Sequence, residues 1–150
     1  SLDTDEGLTR YLPPMPQKNE QKQMDVNRND IMNISIDDND RMTCNGDTIN
    51  ARQLTERVAS FVIERGKTHV ISVKADRQTS YEAYFAMQNS IVNAYSDVRD
   101  KMARREYNTP FAKCSQQERD EISRKYPQRI SEAEPTSQDS GQEREEGGGE

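Results

Sequence analysis

The segment from Val70 to Met102 constrains the fold more than any other part of the sequence. At its start, Ile71, Val73 and Ala75 alternate with polar residues, which is the period of a half-buried strand. After a short turn, large apolar side chains recur at spacings of three and four, as on a helix buried along one side. They are Tyr84, Met87, Ile91, Tyr95, Val98 and Met102. A strand followed directly by such a helix predicts a sheet covered by helices on one face.

A β-hairpin is predicted before this segment. Met32, Ile34 and Ile36 alternate with polar residues and indicate a strand, and residues 41–44 indicate a short second strand. The intervening residues 37–40 are three aspartates and an asparagine, but they lack the spacing and the bidentate glutamate of a calcium loop. We therefore expect a solvated turn here.

Capping patterns predict where the two main helices begin. Asn50 with Gln53 resembles a capping box and predicts the start of the first helix. Gly66 provides the C-terminal cap of the same helix. Thr79 with Glu82 predicts a second capping box, at the start of the long helix. The predicted core lies between these helices and the sheet. It consists of Ile34, Leu54, Val58, Ile71, Val73, Ile91 and Val98.

A short polar helix and a late strand complete the predicted fold. Ser115 with Glu118 begins the helix, which must end near Tyr126 because Pro127 cannot continue it. Residues 128–132 are predicted to form the last strand. The fold class is therefore α/β in the two-layer α+β sense, with a small sheet, two main helices on one face and the order β-β-α-β-α-(α)-β.

Composition divides the chain into three parts. Residues 1–29 are polar apart from a segment at 12–16 with three prolines, which favours an extended linker. Residues 30–134 form the predicted domain. Residues 135–150 are rich in Ser, Gln, Glu and Gly, which predicts disorder.

The charge distribution argues against nucleic acid as a partner. The formal net charge is −6, and residues 131–150 contain seven acidic residues and one arginine. The rest of the chain balances at 20 basic and 20 acidic residues, so it has no cationic excess to neutralise phosphates.

Residues with catalytic or metal-binding chemistry are few. Cys44 and Cys114 are far apart, and His69 is the single histidine, which falls short of a zinc pattern. The glycines at 147–149 have neither the strand nor the helix of a phosphate loop around them. Asp76 ends an apolar strand, but closing a turn is its more common role. We expect no enzyme activity, no cofactor and no small-molecule substrate.

Several short sequence motifs, and the order in which they occur along the chain, resemble the periplasmic domain of the ExbD/TolR family. The match is strongest from Val70 to Tyr95, where a strand ending in Ala-Asp precedes a turn, a tyrosine and a long helix. Asn45-Gly46 followed by Leu54 is similar to the family's second strand and first helix. Residues 12–16 resemble its linker after the membrane helix, and residues 128–135 resemble the last strand of the longer members from Bacteroidota.

The resemblance implies a role in a proton-driven motor. Family members have one transmembrane helix, pair with an ExbB-like membrane subunit and engage a TonB-like protein, and their periplasmic parts form homodimers. No stretch of this sequence approaches the ~20 apolar residues that span a bilayer. We therefore expect the periplasmic domain of a single-pass inner membrane protein of a Gram-negative bacterium. The membrane helix and its proton-carrying Asp would lie before Ser1.

The predicted contact sites follow from the resemblance and from the late strand. Such a strand leaves unpaired backbone groups at the sheet margin, which can accept a second copy or an extended partner segment. The predicted edge consists of Gln128, Arg129, Ile130 and Ser131. The predicted linker contact consists of Leu12, Pro13 and Pro14. The first hypothesis is thus an ExbD-like subunit that binds TonB. The alternatives are a TolR-like subunit that contacts peptidoglycan or envelope proteins and, more distantly, a small α/β enzyme. Residues 104–127 depart from the shorter proteobacterial pattern.

Overall fold

The computed structural model describes residues 27–133, which form a five-stranded sheet and three α-helices. The strands are β1 (Ile31–Ile36), β2 (Met42–Cys44), β3 (Asp47–Thr48), β4 (Val70–Ala75) and β5 (Ile130–Glu132). The helices are α1 (Ala51–Arg65), α2 (Tyr81–Tyr107) and α3 (Gln116–Lys125). The predicted linker contact at Leu12, Pro13 and Pro14 and the predicted acidic tail lie outside the described residues.

The sheet has the order β3-β2-β1-β4-β5. The first three strands pair antiparallel, as expected for consecutive strands joined by tight turns. The strands β1, β4 and β5 are parallel, and each crossover between them contains a helix. The sequence predicted the hairpin but missed β3, which has only two residues and both of them exposed.

Alternation along the strands produces the two predicted layers. In β1, Met32, Ile34 and Ile36 are buried against the helices, whereas Asn33 is exposed on the opposite face. All seven residues of the predicted core are buried, with at most 1% of their surface exposed. The predicted fold class, a small sheet with its main helices on one face, is confirmed.

Two of the three predicted capping boxes are confirmed. The side chains of Asn50 and Gln53 cap α1 reciprocally, and Ser115 and Glu118 do the same for α3. The box predicted at Thr79 is wrong. The Thr79 hydroxyl instead donates to the Asp37 carbonyl at 2.8 Å, so the next residue, Ser80, caps α2.

The segment after Met102 packs against the far end of α2. The helix continues to Tyr107 and ends at Asn108, which has a positive φ of 56°. Ile122 of α3 is fully buried and attaches that helix to the body. Cys44 and Cys114 are separate thiols, and both are buried. Burial raises the pKa of each thiol.

Candidate partner-binding edge

Strand β5 forms one margin of the sheet and pairs only with β4 among the described residues. The Ile71 amide donates to the Arg129 carbonyl at 2.8 Å, and the Ala133 amide donates to the Val73 carbonyl at 2.9 Å. Backbone groups of successive strand residues point to opposite sides. The odd-numbered residues of this segment therefore face β4.

The even-numbered residues of β5 consequently point their backbone groups away from the sheet. Ile130 and Glu132 each direct one N–H and one C=O outward. No strand within residues 27–133 occupies this side. We call the outward N–H and C=O groups of Ile130 and Glu132 the open edge. It has the hydrogen-bonding pattern that an added strand would satisfy.

Side chains of α2 hold the end of β5. The Tyr84 hydroxyl donates to the Glu132 carboxylate, and the Gln88 amide donates to the same oxygen at 2.5 Å. A strand of three residues has few ladder bonds of its own. These side-chain bonds therefore help to fix the open edge relative to α2.

A second set of bonds holds the start of β5. The Arg129 amide donates to the Tyr95 hydroxyl at 3.2 Å, and the Arg129 guanidinium donates to the His69 carbonyl at 2.8 Å. Tyr95 is fully buried, and burial raises the pKa of its hydroxyl well above the ordinary range. The phenol therefore stays protonated and can both donate and accept.

The predicted edge residues are thus only partly in the strand. Gln128 is exposed and precedes β5, so the predicted start of the strand at residue 128 was wrong. The physical reason is that the Arg129 amide bonds to a side chain of α2 rather than to a strand. Ile130 and Ser131 lie in β5, with their backbone groups pointing outward and toward β4, respectively.

An exposed apolar stripe runs along α2 beside the open edge. It consists of Tyr81, Phe85 and Val92, which are 76%, 51% and 46% exposed. At 100° per residue these three side chains share one flank of the helix, adjacent to the flank of Tyr84 and Gln88. Because the latter two contact β5, the stripe lies on the same side of the molecule as the open edge.

A groove of about 340 Å³ lies where the parallel strands end and α2 begins. Its lining residues are Ala75, Asp76, Arg77, Thr79, Tyr81, Tyr84, Glu132 and Ala133. The Asp76 carboxylate accepts a hydrogen bond from the Gln78 amide at 2.8 Å, so it has the turn-closing contact expected from the sequence. The groove joins the apolar stripe to the end of β5 through Tyr81 and Glu132.

Sequence reasoning missed the α2 residues that surround this edge. Tyr84 was placed on the buried face of the helix because it follows the three-and-four spacing, whereas it is half-buried and bonds to Glu132. A second signal was present in the sequence. Tyr81, Phe85 and Val92 follow spacings of four and seven on a different face, which indicates an additional apolar surface.

Among residues 27–133, no group of three His, Cys, Asp or Glu side chains could hold a metal ion. In the same part of the chain, no helix is long and apolar enough to cross a bilayer.

Comparison with known proteins identifies a family. The model described as "Biopolymer transport protein ExbD/TolR" matches residues 3–99, which is more than half of the chain. The match covers β1 to β4 and most of α2. A search of curated proteins finds no match.

Proposed function

Because the chain belongs to the ExbD/TolR family, we propose that it is the periplasmic coupling part of an ExbD-like subunit in a TonB-ExbB-ExbD complex. The family acts in energy transduction for transport, with membrane partners and a membrane-anchored periplasmic domain. In our proposal the domain binds a TonB-like protein and relays force to it. An ExbB-like subunit would be contacted through an inner-membrane helix.

The open edge of β5 is the observation on which the proposed binding mode depends. An extended segment of the partner would pair with the outward groups of Ile130 and Glu132 and so extend the sheet. Backbone pairing tolerates varied sequences. It also gives moderate affinity when a disordered segment must be ordered, which suits a partner that is gripped and released.

The apolar stripe supports the same location. A strand added beyond β5 would place alternate side chains on the helix side of the sheet, next to Tyr81, Phe85 and Val92. We therefore expect a bound segment with apolar residues at alternate positions. The stacked rings of Tyr81 and Phe85, with centroids 5.7 Å apart, would contact those residues.

We also propose that two copies associate through this edge. One open edge can pair with a second copy or with a partner segment, but not with both. A partner peptide should therefore compete with self-association.

The test is the variant Ile130→Pro. Proline removes the Ile130 N–H, which points away from β4, so the bonds between β4 and β5 are spared. We expect the affinity for a peptide from the disordered region of TonB to fall by about tenfold or more, or roughly 1.4 kcal/mol. Calorimetry at equal fold content measures this affinity.

The matched control is Ile130→Ala, which loses the same side chain but keeps the N–H. It should bind the peptide more tightly than the proline variant. Equal binding by the parent and Ile130→Pro would exclude the edge-strand mode. If the parent binds purified peptidoglycan sacculi and no TonB peptide, the TolR-like alternative replaces the ExbD-like assignment.

A further inference from the structure

A buried chain of hydrogen bonds lies at the start of β5. The His69 ring contacts the Gly66 carbonyl through Nδ1 at 2.5 Å and the Tyr95 hydroxyl through Nε2 at 2.6 Å. The same hydroxyl accepts from the Arg129 amide at 3.2 Å. His69 and Tyr95 have no exposed surface. The chain thus connects the residue before β4 to the residue before β5.

The partners determine the position of each proton. A carbonyl can only accept, so Nδ1 of His69 carries a hydrogen. A backbone amide can only donate, so the Tyr95 oxygen accepts from Arg129. With a neutral ring, Nε2 accepts the remaining hydrogen, that of the Tyr95 hydroxyl. Every polar group in this series of hydrogen bonds then has a partner.

A second proton on His69 disrupts this arrangement. Nε2 becomes a donor, so the hydroxyl hydrogen of Tyr95 must turn away from the ring. The hydrogen bonds of Tyr95 within the described residues include no other acceptor. Protonation would therefore place a positive charge in a buried site and leave a buried hydroxyl donor unsatisfied.

The surrounding groups do not compensate for that charge. The Phe61 ring from α1 is perpendicular to the imidazole, with centroids 6.4 Å apart, and Tyr95 from α2 has the Arg99 guanidinium near it. From the β5 side, Arg129 brings another cation. From α3, the Lys125 backbone approaches Gly66, and the Lys125 ammonium pairs with Glu106. No carboxylate among residues 27–133 bonds to the ring.

The pKa of His69 agrees with this geometry. Burial lowers it below the ordinary 6.5, the bond to the Gly66 carbonyl opposes this shift, and the Arg129 guanidinium lowers the pKa further. When the folded pKa lies below that of the open state, the closed state is fully favoured above pH 6.5. It loses stability as the pH falls toward the folded pKa.

We infer that His69, Tyr95 and Arg129 form a proton-sensitive latch, which holds β5 while the imidazole is neutral and loosens it when the imidazole takes up a proton. The latch would regulate the open edge, so its effect on partner binding rests on the proposed function. Mild acid would then weaken the grip on a partner segment. The latch itself depends only on this chain and can be tested without a partner.

The experiment measures amide exchange of Ser131 and Ala133 in the 150-residue chain at pH 7.5 and 5.5, corrected for intrinsic exchange. Both amides point toward β4, so their exchange requires β5 to open. If the open state titrates near 6.5, its population should rise about tenfold between these values. His69 is the single histidine, so few other groups titrate in this range.

Two variants separate the latch from general loosening. His69→Gln can still donate and accept hydrogen bonds but cannot titrate, so opening should become independent of pH. Tyr95→Phe leaves the Arg129 amide without its acceptor and removes the hydroxyl that joins it to His69, so β5 should open more at both pH values and its response to pH should be smaller than in the parent. An unchanged response in His69→Gln, or no response in the parent, would overturn the latch.

A direct readout covers the case in which His69→Gln fails to fold. Titration of the His69 ring by NMR in the parent should give a midpoint below the ordinary 6.5, and the rise in β5 opening should level off near that midpoint. A His69 ring that titrates at or above 6.5 would also reject the proposal. If β5 responds to pH but no TonB peptide binds at either pH, the proposed function fails and the latch remains.

Discussion

Ile91 lies on the buried face of α2 and has no exposed surface. Replacing it with Ala should lower the free energy of unfolding by about 2–5 kcal/mol, because the packed surroundings can collapse only partly into the space. Urea denaturation measures the change. The adjacent Val92 is 46% exposed, so Val92→Ala is a matched control that should cost much less. A loss below about 0.5 kcal/mol for Ile91→Ala would mean that this side chain is not in the core.

The roles of single polar residues were harder to predict from the sequence than those of apolar residues. His69 is a single residue with no motif around it, and its sequence context gave no reason to expect a fully buried ring. Its importance comes from Gly66, Tyr95 and Arg129, of which Arg129 is 60 residues away in sequence. Such contacts depend on the packing of three separate elements.

At the scale of elements, the start of α2 provides a test of the corrected cap. The Ser80 hydroxyl accepts from the Ala83 amide at 3.1 Å and satisfies one of the first free N–H groups of the helix. Ser80→Ala should therefore lower the free energy of unfolding by about 0.5–2 kcal/mol.

The control for this prediction is Ser60→Ala, the same chemical change at an exposed position inside α1. It should be neutral or slightly stabilising, because alanine is the better helix former. Thermal or urea unfolding of both variants compares them. Equal effects of the two substitutions would mean that the Ser80 cap contributes nothing.

Strand β5 is held in place largely by contacts with other elements. Its three residues are all half-buried, and among residues 27–133 it pairs with β4 alone. The bonds from Tyr84 and Gln88 at one end and from Tyr95 at the other compensate for this short ladder. An element that is held mainly by side chains can be loosened locally without unfolding the sheet.

For the molecule as a whole, the margin of the sheet at β5 should be visible in amide exchange. In dilute solution, Ile130 and Glu132 should exchange much faster than Ser131 and Ala133, because only the latter pair points toward β4. Exchange monitored by NMR measures all four amides in one sample.

Raising the protein concentration adds a second observation to this experiment. If two copies pair through the open edge, the Ile130 amide should become protected as the dimer forms. Equal protection of all four amides at every concentration would contradict the assignment of an open edge to this monomer.

Local patterns in the sequence were enough to predict the two layers, the helix boundaries at Asn50 and Ser115, and the seven core residues. These features depend on local capping and on apolar residues that recur with a period of two in strands and 3.6 in helices. Both signals come from residues that are close in sequence. The sequence motifs from Val70 to Tyr95 also indicated the family, and the family match over residues 3–99 agrees with them.

The folded structure was needed to show which backbone groups of β5 face outward, where that strand begins and which side chains surround it. The register between β4 and β5 determines which alternate residues of β5 direct their backbone groups toward β4. A shift of one residue would exchange the inward and outward backbone groups. The cap at Ser80 and the chain from His69 to Arg129 likewise depend on groups that meet only after the chain has folded. Local patterns cannot specify such contacts, because their energy comes from the packing of residues far apart in sequence.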